Sequence, residues 1–126
     1  MKIFIVFIGG FLGSICRYMV SGWFPSHSGF PIATMLINIV GCFLLGWLLT
    51  TLKLNKNKHL FISLLFGTGF ISSFTTFSTF TIETIQLLEN QLYIFAIVYV
   101  CASILLGILA AYIGYKLVGF KVGENR

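Results

Sequence analysis

The residues of this chain best equipped for chemistry stand together. Positions 72–81 read Ser-Ser-Phe-Thr-Thr-Phe-Ser-Thr-Phe-Thr, with Phe at 74, 77 and 80 and a hydroxyl at each of the other seven positions. An aromatic ring is negative on its face and positive at its edge. Faces therefore attract cations, while edges can lean on an anion. Ring edges beside hydroxyl donors suit a small anion that sheds its water. With no strongly attractive fixed charge the ion can also leave, as conduction requires. From spacing alone a plainer account is preferred: Phe at every third residue packs against a neighbouring helix. Glu83 follows one turn after the run.

Other polar groups lie in apolar surroundings. Arg17 follows Gly9 and Gly13 at four-residue steps. The glycines suit close approach of helix backbones, whereas an ionisable group inside an apolar span usually faces protein or a water-filled cavity. Arg17 and Glu83 both fall towards the same end of their spans, so a pairing between them is open. Asn38 sits about two turns inside its own apolar run. An amide left unpaired in hydrocarbon costs several kcal/mol, so it needs a helix, a water or a passing solute as partner. Tyr99, Ser103 and Gly107 form a four-residue stripe offering hydroxyls. Cys16, Cys42 and Cys101 lack metal-ligand spacing and read as packing residues; His27 and His59 fall between apolar runs. No Ser/His, His/Glu or Asp/Asp constellation lies within the runs. No catalytic residue is expected, and the chain is not read as an enzyme.

These groups must be positioned by membrane-spanning helices. Of 126 residues, 58% are hydrophobic and 9% charged, too few charges to cover the surface of a soluble domain. Four runs reach the roughly 20 apolar residues that a bilayer core requires: Phe4 to Phe24, Ile32 to Leu52, Leu60 to Leu88 and Tyr93 to Val118. Turn residues divide them: Pro25, Ser26, Gly29 and Pro31, then Asn55 to Lys58, then Glu89 to Gln91. The length allows one domain, so residues 1–126 are read as a single four-helix unit. The first run is read as a span rather than a cleaved leader, because it exceeds a leader's apolar core and a second apolar stretch follows Arg17. The third is expected to be a broken helix. Gly67 and Gly69 precede a stretch of Ser and β-branched Thr that forms helix poorly. An irregular segment is expected near Ser72 to Thr76, tolerable at membrane depth only where protein or water satisfies it. Freed carbonyls at such breaks bind cations, and exposed helix ends bind anions. With four spans, Lys2, Lys53, Lys56, Lys58, Lys116, Lys121 and Arg126 fall on one side, and the opposite loops carry no Lys or Arg. The excess positive charge is thus read as topology rather than nucleic-acid binding, with both termini in the cytoplasm.

The run Gly69 to Glu83 resembles the signature of the Fluc, or CrcB, fluoride channels. So do Gly9 to Tyr18 (Gly-Gly-Phe-Leu-Gly-Ser-Ile-Cys-Arg-Tyr) and Pro31 to Gly41 (Pro-Ile-Ala-Thr-Met-Leu-Ile-Asn-Ile-Val-Gly). The resemblance covers all four spans in order. It implies an all-α membrane protein with a broken third helix, assembling as an antiparallel dimer in the bacterial plasma membrane. It also implies passive, selective export of fluoride through pores at the dimer interface. Carried across by position, Phe77 and Phe80 would contact fluoride by their ring edges, and Asn38 would reach the pore as a donor. Arg17 would sit by the aqueous vestibule, and Tyr99 with Ser103 would form a polar track. The main-chain carbonyls of Ser72 and Thr75 would hold a central structural sodium ion.

Three departures stand out. The family usually has Gly-Gly where this chain has Ser72-Ser73, Gly107 thins the polar track, and Lys and Arg are strongly biased to one side. An antiparallel homodimer must insert one sequence both ways, so the bias favours pairing with a separate, oppositely biased paralogue over self-pairing. Two rival readings remain. A proton-coupled exporter of the small multidrug type would need an intramembrane carboxylate, for which Glu83 is the candidate. A non-transporting assembly subunit would use the small-residue seams only for packing.

Overall fold

The computed structural model describes residues 1–24, 29–54 and 59–123. Among these the regular structure is helical throughout: α1 (Lys2–Trp23), α2 (Ile32–Leu54), α3 (His59–Ile62), a π-helical stretch (Ser63–Ile71), α4 (Ser72–Phe74), α5 (Phe77–Glu89) and α6 (Tyr93–Gly123). Four stretches are long and apolar enough to cross a membrane: Lys2–Trp23, Ile32–Lys53, Leu60–Glu89 and Tyr93–Phe120. The expected four-span architecture holds. The turn residues expected at Pro25, Ser26 and Asn55 to Lys58 lie outside the described residues, as do His27, the His59 side chain and those of Lys121 and Arg126. The turn after the third span is described: Asn90, Gln91 and Leu92 donate their amides to Gln86, Leu88 and Leu87, with Gln91 at φ 60.

Glycine decides which helices touch. A Cβ at Gly9 would run into the Leu65 carbonyl, and one at Gly13 into the Phe70 carbonyl. The first half of the third span therefore lies backbone to backbone along α1. The second seam joins α2 to α6, where a Cβ at Gly46 would meet the Ala111 carbonyl and one at Gly114 the Phe43 carbonyl. Both pairs run parallel, and α5 returns against α6 through Leu87, Ala96 and Tyr99. Up-and-down order then sets Lys2, Lys53 and Lys116 at one end of the bundle. Lipid offers apolar side chains no gain from leaving it, so close backbone packing of this kind is what holds such helices together.

The broken third span is present, with two differences from expectation. The interruption is confined to Thr75 (φ −73, ψ 156) and Thr76 (φ −146, ψ 124), while Ser72–Phe74 stay helical. Ahead of it, nine residues wind as π-helix, which the sequence reading did not anticipate. Ser72 Oγ donates to the Gly67 carbonyl at 3.1 Å, bridging five residues as a π-turn does. The glycines at 67 and 69 were the available signal, read there only as helix weakness.

Candidate functional site

The break is built by side chains that take the place of the helix ladder. Thr76 caps α5: its Oγ1 accepts the Thr79 amide at 3.2 Å and donates to Thr79 Oγ1 at 3.0 Å. Such a cap typically stabilises a helix by about 1 kcal/mol. From α2, Asn38 binds the same residue twice. Its Nδ2 donates to the Thr76 carbonyl at 3.0 Å, and its Oδ1 accepts the Thr76 amide at 2.9 Å. That is the pattern one strand makes with another, supplied here by a side chain. It satisfies extended backbone that is 92% buried by its neighbours, Thr76 being 8% exposed. In an unbroken helix the Thr76 amide would bond the Ser72 carbonyl, and the Thr79 amide the Thr75 carbonyl. Both amides are engaged elsewhere, so the two carbonyls expected to hold sodium lose their helical donors.

Ser72 and Ser73, where the resemblance leads one to expect Gly-Gly, are both bonded. Ser72 braces the π-stretch as described, and Ser73 Oγ lies 2.6 Å from Ser14 Oγ of α1.

The three phenylalanines divide at the break. Phe74 is buried and stacks on Phe70, with centroids 5.8 Å apart and planes 9° from parallel. Its ring also lies beside Gly41 of α2, so for this ring the plain packing account is correct. Phe77 is 80% exposed. Phe80 lies 5.9 Å from the Phe77 ring and 5.0 Å from the Tyr99 ring. Phe77, Phe80 and Tyr99 thus form one aromatic ladder with an open end.

Tyr99 is fully buried, at 0% exposure, and donates to Glu83 Oε2 at 2.8 Å. Thr34 Oγ1 donates to Glu83 Oε1 at 2.8 Å. Both carboxylate oxygens are therefore held from α2 and α6. The pairing of Glu83 with Arg17 left open by the sequence does not form. Arg17 instead walls a cavity of about 220 Å³ with Ser14, Tyr18, Thr34, Thr76 and Thr79. A second cavity of about 290 Å³ is lined by Asn38, Gly41, Cys42, Ser72, Thr75, Thr76 and Phe77 among others. Thr76 lines both. Ser103 Oγ, on the same α6 face as Tyr99, is buried without a hydrogen-bond partner. Thr34, Thr76 and Ser14 carry weight that the sequence reading gave them no role for. The four-residue pattern Thr76-Phe-Ser-Thr79 was a legible cap signal for one of them.

Residues 4–115 match the family described as CrcB-like protein, Camphor Resistance (CrcB). The chain belongs to the CrcB family. Within it, the chain is 54% identical over 116 residues to a protein of Oceanobacillus iheyensis named fluoride-specific ion channel FluC, covering 92% of this chain and 90% of the relative. Bacillus cereus ATCC 10987 carries two relatives. One, named fluoride-specific ion channel FluC 1, is 46% identical over 96% of this chain and 90% of its own length. The other, named FluC 2, is 42% identical over 94% and 98%. In this CrcB chain no group of three or more His, Cys, Asp or Glu among the described residues could hold a metal ion. The freed carbonyls of Ser72 and Thr75 are instead hard oxygen ligands, the type that suits an alkali cation.

Proposed function

We propose that this chain is a subunit of a fluoride-selective channel that lets fluoride leave the bacterial cytoplasm passively and so limits its toxicity. The observation that carries the reading is the open aromatic ladder Phe77–Phe80–Tyr99, which begins at the capped break where two cavities share Thr76. Ring edges and hydroxyl donors replace water around a small anion without trapping it. The names of the relatives point the same way.

In this reading Phe77 and Phe80 present their edges to the ion, and Asn38 offers the Nδ2 proton that its bond to Thr76 leaves over. Arg17 sets a favourable potential in the cavity it walls, and Tyr99 with Ser103 continues the polar path. The exposed Phe77 is what a subunit would present if its pore were completed by a second, antiparallel chain. A sodium ion held by the Ser72 and Thr75 carbonyls would supply fixed positive charge to the aligned carbonyl dipoles at that junction. The seven Lys and Arg on one side support a cytoplasmic location for both termini and favour an oppositely biased paralogue as partner. Relatives named FluC 1 and FluC 2 in a single strain fit such a pair.

The test is anion efflux from liposomes, read with a fluoride electrode and with chloride as control. Fluoride efflux without chloride is expected when the chain is reconstituted with its paralogue. Fast efflux from the chain alone would keep the channel and overturn the obligatory paralogue. Equal fluoride and chloride efflux, or none with both chains, would overturn fluoride selectivity.

A further inference from the structure

We infer that Asn38 is the residue that keeps the third span broken, and is therefore a positioning residue before it is an ion contact. The Thr76 amide has two possible acceptors. One is the Ser72 carbonyl, four residues back, which would join α4 to α5 in a continuous helix. The other is Asn38 Oδ1, which it takes at 2.9 Å. Asn38 also donates to the Thr76 carbonyl at 3.0 Å, so the amide orientation is fixed from both ends. A lone side-chain bond would compete with the helix poorly. Two bonds to one residue that is only 8% exposed compete well, because a buried amide left unpaired costs about 1–3 kcal/mol.

Besides Asn38, the bond that favours extended backbone at Thr76 is its own cap on α5. Its hydroxyl is spent inside α5 on Thr79. The Thr75 hydroxyl returns to the Ile71 carbonyl at 2.9 Å, and the Thr75 amide bonds the same carbonyl at 3.0 Å, as both would in a helix. Helical bonding therefore reaches the Thr75 amide, and the departure begins at the Thr75 ψ of 156°, beside the Thr76 amide that Asn38 accepts. Three consequences follow if Asn38 is withdrawn. The Thr76 amide returns to Ser72, the cap on α5 is lost, and α5 rotates with Phe77 and Phe80 upon it. The inference concerns the shape of the span and stands or falls whichever ion is carried.

The test is threonine-selective ¹³C labelling of the reconstituted full chain, with its paralogue where assembly needs one. Cα and Cβ shifts separate extended from helical backbone, and Thr50 and Thr51 in α2 serve as helical references. Wild type is expected to show extended shifts at Thr76. Asn38→Leu and Asn38→Ser, neither of which can make the pair, are expected to move Thr76 to helical values and abolish fluoride efflux. Asn38→Asp keeps an acceptor for the Thr76 amide and is expected to retain the extended shifts. Extended shifts at Thr76 in the Leu and Ser variants would overturn the inference and leave Asn38 as an ion contact only. Helical shifts in the Asp variant would overturn it as well. A wild type with no efflux would count against the fluoride reading while the shifts still decide this one.

Discussion

The two halves of the third span are made of the same residue types, Phe and hydroxyls among apolar residues, yet they stand in opposite surroundings. Before the break, Phe70 and Phe74 stack on each other, and the backbone lies against α1 so closely that no Cβ fits at Gly9 or Gly13. Hydroxyls there are turned to structure: Ser72 to Gly67, Ser73 to Ser14, Thr75 to Ile71. After the break, Phe77 stands 80% exposed and Phe80 leans on a buried tyrosine. Composition alone does not distinguish the packed half from the half proposed to handle ions. Position relative to a two-residue interruption does, because the interruption turns one helix face out of the seam.

That comparison is broken most severely from the seam side. Gly13→Val would drive a side chain into the Phe70 carbonyl. Overpacking against movable side chains already costs about 1–3 kcal/mol, and backbone cannot step aside. We expect no folded, monodisperse protein on size exclusion in detergent. Phe74→Ala, in the same half, removes a buried ring and should cost about 3–5 kcal/mol, visible as a lower midpoint in a denaturant or thermal scan. Across the break the expectation inverts. Phe80→Met should leave assembly intact and lower fluoride efflux at least about tenfold, equivalent to roughly 1.4 kcal/mol of barrier. Unchanged efflux would favour the assembly-subunit reading.

The sequence disclosed the four spans, the glycine seams and the existence of a break, because each follows from apolar length or from the absence of a Cβ. It did not disclose the π-stretch, since Ser63–Ile71 is as apolar as any helix and differs only in which carbonyl each amide chooses. Nor did it disclose the partners of Glu83. Thr34 and Tyr99 lie 49 and 16 residues away, and the only charged partner in view was Arg17, so charge was the available guide. Once Thr34 and Tyr99 occupy both oxygens, Arg17 is left to its cavity. Asn38 was recognised as needing a partner, but its claim on Thr76 depends on where the break falls, and a broken helix has no periodicity to count.

Glu83→Gln asks whether that carboxylate carries protons or only anchors hydroxyls. Gln retains an acceptor for one of the two donors, so the loss should be limited to one bond, about 1–3 kcal/mol. Fluoride efflux is expected to persist and to be independent of an imposed proton gradient in both proteins. Gradient-driven transport in the parent that disappears in the variant would instead support the proton-coupled exporter.

The smallest effect tests the chain's own departure from its family. Ser73→Gly restores the usual residue and removes the 2.6 Å contact with Ser14. A single neutral hydrogen bond contributes about 0.5–1.5 kcal/mol, and Gly adds backbone freedom costing roughly 0.5–1 kcal/mol in a helix. Stability should fall by about that sum while fluoride selectivity stays, because Ser73 lies on the packing side of the break. Ser73→Ala removes the bond without the added freedom and should fall between the two. A change in selectivity on either substitution would mean that the two halves are not separate in function, and that the α1 seam helps to shape the pathway that begins at Thr76.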